Sequence, residues 1–141
     1  MAGKADFTEA EWKTLEKGVT GAGMLVAMAD ASLFDSFKEA GALASHLNAA
    51  RQKSNSQLVR DLAAGHTGGF GIGTSSQELE TGTIEALHSA LTTLQTKAPD
   101  ETSAYSELVL GVAESVANAV SGVAPAESAA IDKIKAALQT T

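Results

Sequence analysis

The chain has no cysteine among its 141 residues. That absence excludes disulfides, thiolate metal ligands and cysteine nucleophiles, and it removes any need for an oxidising compartment. Aromatic residues are scarce as well, at 4%, whereas apolar residues of all kinds reach 44% and alanine dominates them. Neighbouring elements must then approach through small side chains, which favours helix packed on helix. Long hydrophobic runs are also missing: the most apolar stretch, AGMLVAMA at 22–29, falls well short of the roughly 20 residues a bilayer-spanning helix needs. The opening MAGKADFTEAEW lacks the apolar centre of a secretory signal. A cytoplasmic protein with no integral membrane segment is the expectation.

Positive charge is the next deficit. The net charge is −7, and it is unevenly spread: residues 1–64 hold eight acids and seven bases, residues 65–141 nine acids and three bases. Nucleic-acid binding normally requires a basic stripe that displaces counterions from phosphates. The one candidate, Arg51, Lys53 and Arg60, is better read as cations near helix C-termini, where they offset the helix dipole. The acidic second half suits a basic protein partner instead.

The length fits one domain, able to bury about two-thirds of its unfolded surface. Helix signals recur along it. Thr8 and Glu11 have the spacing of a capping box, flanked by Phe7 and Trp12 as a hydrophobic staple, and Trp12, Leu15, Val19, Ala22 and Val26 then share one face. Glycines at 18, 21 and 23 each cost a helix about 1 kcal/mol relative to alanine, which points to close contact with a neighbouring helix or a local bend. Ser32 with Asp35 begins a second helix, carrying Leu33, Phe37, Ala40, Ala44 and Leu47 on one side and fading near Arg51. Ser54 with Gln57 has capping-box spacing for a third, whose buried side is Leu58 and Leu62 and whose C-cap is Gly65.

Ser75 with Glu78 opens a fourth helix along Ile84, Leu87, Leu91 and Leu94, with Gly82 as a candidate interruption. KAPDE closes that helix and opens a fifth, with Pro99 in the first turn and Tyr105, Leu108, Val112, Val116 and Ala119 on one face. SGVAPAE forms the last turn, before a final helix along Ile131, Ile134 and Leu138. No segment alternates with a strand's period of two. The fold class expected is all-α, a compact bundle of about five to seven helices in a single domain over 1–141.

The glycine-rich stretch GHTGGFGIGTSS at 65–76 invites comparison with a phosphate-binding loop. A Walker loop needs Lys and Ser or Thr after its last glycine, and here Thr74 follows Gly73 with no lysine near. A dinucleotide fingerprint needs a preceding strand. Glu78 and Glu80 just downstream would also repel an anion. The segment reads as a flexible connection between two groups of helices. No nucleophile elbow of the G-x-S-x-G type is present, and His46, His66 and His88 include no pair at i, i+4 of the zinc-binding kind. Each histidine reads as solvated or locally hydrogen-bonded.

Two segments align: AMADASLFDSFKEAGALASHL at 27–47 and SVANAVSGVAPAESAAIDKIKAAL at 115–138. In each, a small-residue helix ends at Ala followed by Asp30 or Asn118; nine residues on stands Glu39 or Glu127, and four further on Leu43 or Ile131. The pattern implies a pseudo-twofold repeat of helix pairs. At these residues the chain resembles the tellurite-resistance TerB-like family, helical domains in which a helix ending in AD leads through a short turn to a helix bearing a glutamate. The resemblance implies a divalent-metal site drawing on Asp30, Glu39 and Glu127 and a stress-responsive role. Side-chain chemistry alone supports a second reading, in which Asp30 and Asn118 cap helix ends and Glu39 and Glu127 sit in first turns beside positive dipole ends.

Two functions follow as expectations. The first is a small noncatalytic helical module that binds a protein partner or forms a homo-oligomer in a bacterial-type cytoplasm, with no catalytic residues and no cofactor. The second is a TerB-like metal-responsive protein using Asp30, Glu39 and Glu127. Under the second, Mn²⁺, Ca²⁺ or Zn²⁺ raises the melting temperature by binding the folded state preferentially, and Asp30→Ala removes that rise. A thermal shift that is flat across the three ions, or unchanged in the variant, rejects it.

Overall fold

The computed structural model describes residues 3–29, 45–46, 48–54, 56–64, 76–118 and 125–139. Among them there is no strand, and the chain is an all-α bundle as its periodicity requires. A 3-10 turn at Lys4–Asp6 precedes α1, Glu9–Ala29. Helical residues at 45–46 and 48–53 lead to α2, Gln57–Ala64. The long α3 spans Ser76–Lys97, a second 3-10 turn Pro99–Glu101 links it to α4, Thr102–Ala117, and α5 runs Pro125–Gln139. No helix among the described residues is long and apolar enough to cross a membrane.

The start of α1 is built as its sequence dictates. The Thr8 hydroxyl accepts from the Glu11 amide at 3.1 Å and the Glu11 carboxylate accepts from the Thr8 amide at 2.8 Å, so two donors that the helix leaves unpaired are satisfied reciprocally. The Phe7 and Trp12 rings close the staple with centroids 5.9 Å apart. Downstream, Trp12, Leu15, Val19, Ala22 and Val26 are all buried.

Three local expectations are corrected, the third at the start of α5. The N-cap of α2 is Ser56 and not Ser54: the Ser56 hydroxyl accepts from the Val59 amide at 3.2 Å, while the Ser54 hydroxyl accepts from the Ser56 amide. Gln57 is then the first helical residue, and its amide donates to Asp61 at 2.7 Å rather than reaching back to a cap. Gly82 does not interrupt α3, which is continuous from Ser76 to Lys97. The penalty of about 1 kcal/mol for one glycine is small beside the roughly 1.5–3 kcal/mol contributed by each fully buried leucine, and Leu79 and Leu87 flank it without any exposure.

Helix ends follow local chemistry too. Pro99 disfavours helical backbone at the residue before it, and Ala98 sits at φ −152°, ψ 65°, outside the helical region. Past the last turn of α4, the Asn118 side-chain amide donates to the Glu114 carbonyl at 2.7 Å, which is the capping role its side chain suggests. The last turn does not extend through SGVAPAE as expected: Pro125, Ala126 and Glu127 already belong to α5, because proline's missing N–H has no consequence at a helix's first position.

The core forms around α1, which packs against α3, α4 and α5, most extensively against α3. The Glu11–Lys97 contact and the approach of Gly18 to Leu87 show that α1 and α3 run antiparallel. Leu15, Leu87, Leu91, Leu94, Val109, Val112 and Ile134 have no exposed surface. The glycine at 18 has a specific reason: a Cβ there would collide with the Tyr105 hydroxyl oxygen and lie 3.0 Å from a Leu87 methyl. Tyr105 is fully buried and donates to the Leu15 carbonyl at 2.8 Å, so its ring cannot swing aside. Gly18→Ala should therefore destabilise by about 1–3 kcal/mol through overpacking, despite alanine's better helix propensity. Tyr105→Phe, which removes the clashing oxygen, should recover a substantial part of that loss in the double variant, as read by denaturant unfolding of the four proteins. Additive losses in the double variant would refute the contact.

Candidate functional site

The residues that the sequence nominated for metal are distributed as follows. Asp30 and Glu39 lie outside the described residues, as do Gly65–Ser75 of the glycine-rich stretch and most of the first repeat segment. Glu127 lies in the first turn of α5. Among the described residues no three His, Asp or Glu side chains converge to hold an ion.

Four polar arrangements tie the described elements together. At the start of α1, Lys97 from the end of α3 pairs with the Glu11 carboxylate at 2.5 Å and stands 5.9 Å from the centre of the Phe7 ring. The hydrogen bond from Lys97, followed by the Thr8 amide, holds the Glu11 carboxyl below its ordinary value of 4.5. Beneath it Trp12 is buried, and its indole N–H has no acceptor among the described residues. Such an orphaned donor costs about 1–3 kcal/mol, which the staple packing must offset.

At the start of α2, the Ser56 hydroxyl donates to the Glu101 carboxylate at 2.5 Å and so joins this N-cap to the turn before α4. The Arg60 guanidinium donates to the Ser54 carbonyl at 3.3 Å and to the Gln57 side chain at 3.0 Å. Of the three bases weighed for a phosphate-binding stripe, Arg60 is thus engaged locally, while Arg51 and Lys53 are exposed. On the 3-10 turn near the N-terminus, the Lys4 amide donates to the Asp61 carboxylate at 3.0 Å, which also accepts from Gln57.

On α4, the Ser115 hydroxyl and His46 Nδ1 are 3.0 Å apart. The other edge of the imidazole faces Gly111, where a Cβ would fall 2.5 Å from Nε2. A serine beside a histidine has the first two members of a nucleophile relay, but a working relay also needs a third group to orient the base. His46 has no further hydrogen-bond partner among the described residues, and its second nitrogen is pressed on backbone. The pair seats His46 against α4. Partial burial lowers the His46 pKa below its ordinary 6.5. His46 departs from the expectation of a solvated or locally hydrogen-bonded histidine, because it is half-buried on a serine 69 residues away; His88 is exposed, and His66 lies outside the described residues.

The fourth arrangement is the charge distribution of the second half. Lys133 on α5 pairs with Glu80 on α3 at 2.6 Å, and Lys97 is committed to Glu11. Glu85, Asp100, Glu107, Glu114 and Asp132 are exposed and form no ion pair among the described residues. Two of the three bases of residues 65–141 are therefore used inside the bundle, and five carboxylates without an ion pair face outward.

No protein-family model, curated protein or solved structure matches this chain. Periodicity and capping could not have found Lys97–Glu11, Ser56–Glu101 or His46–Ser115, because their members stand 86, 45 and 69 residues apart.

Two of the displaced groups, His46 and Glu11, carry opposite charges and share a pH direction. His46 binds its proton less readily folded than unfolded, so its effect on stability is absent above 6.5 and becomes a loss as pH falls below that value. Glu11 is held ionised by Lys97, so its stabilisation is full above 4.5 and disappears as pH falls through the lower folded value. Unfolding free energy followed from pH 8 downward should decline through both windows. His46→Gln should flatten the pH profile only in the upper window and Glu11→Gln only in the lower one. Identical pH profiles for wild type and both variants would remove these assignments.

Proposed function

We propose that this chain is a noncatalytic helical interaction module that recognises a basic protein surface through the outward carboxylates of its second half. The observation that supports it is the internal use of Lys97 and Lys133, which leaves Glu85, Glu107, Glu114 and Asp132 exposed without ion pairs among the described residues. Packed helices carry all four of these carboxylates: Glu85 stands on α3, Glu107 and Glu114 on α4, and Asp132 on α5. Charges held on packed helices need no ordering on association, which lowers the entropic cost of binding.

Charge also argues for a different protein over a second copy of the chain. Two acidic faces brought together repel, and like-charge juxtaposition costs several kcal/mol, whereas a Lys- or Arg-rich face is drawn in and its on-rate rises. Such recognition weakens with salt, because the Debye length shrinks from about 10 Å at 0.1 M to about 3 Å at 1 M.

Binding of a fluorescent Lys/Arg-rich helical peptide, measured by anisotropy at low and high salt, tests this. Affinity should saturate with one site and fall steeply with salt. Glu107→Gln and Glu114→Gln together should weaken it by about fivefold to thirtyfold, equivalent to roughly 1–2 kcal/mol. Glu9→Gln, at the opposite side of the charge asymmetry, should leave it within about twofold. Equal losses for all three substitutions would mean diffuse attraction without a recognition face, and so would non-saturating binding.

A further inference from the structure

We draw no further inference here: the strongest candidate, the cleft of about 540 Å³ at the start of α1 lined by Lys4, Phe7, Glu9, Trp12, Lys13 and Glu16, carries nothing because the unpartnered Trp12 indole N–H is closed off from solvent and out of a ligand's reach, and two lysines facing two glutamates select no ligand charge.

Discussion

The hydroxyl of Tyr105, donating to the Leu15 carbonyl across the bare backbone of Gly18, sets how closely three helices approach. A buried phenol requires an acceptor, and in an all-helical core nearly every carbonyl is already engaged by its own helix. A carbonyl has a second lone pair, but reaching it demands that no side chain stand over the helix at that point. Glycine at 18 provides the opening, and Leu87 of α3 closes on the same spot from its other side. The α1–α4 separation is thereby fixed by one hydrogen bond, with α3 wedged in by contact. Burial also pushes the Tyr105 hydroxyl far above its ordinary 10, so it remains a donor at any pH the fold survives.

The remaining polar contacts are clasps at the ends of this assembly. Lys97 joins the end of α3 to the start of α1, and Glu80–Lys133 joins α3 to α5. Each pair is partly exposed, so its energetic value is modest and falls with salt. Their greater consequence is for the surface. A cation spent on an internal clasp cannot neutralise an outward carboxylate, and the second half has few cations to spend. The acidic face proposed as a recognition surface is thus a by-product of how the bundle is clasped.

Much of the helical plan was legible in the residues because helices are specified locally. Thr8 and Glu11 stand three apart and the staple five apart, so both could be read directly and both are present. The stripes of α1, α3 and α5 were legible for the same reason. Where two signals competed, the local reading slipped. Ser54 and Ser56 are both able caps, and a tertiary contact, Glu101 on the Ser56 hydroxyl, accompanies the choice of the later one. Gly82 looked like a break because propensity was weighed without the burial of its neighbours.

By itself, then, the order of residues determined the helix class, the start of α1, the end of α3, the buried stripes and the sign of the second half. Only the tertiary structure decided that Gly18 receives Tyr105, that His46 is seated on Ser115 and Gly111, and which lysines are withdrawn from the surface. The physical reason is range. Caps and periodicity act over one or two turns and leave a trace within that span, whereas a contact between residues tens of positions apart depends on how rods cross, which no short stretch of sequence encodes.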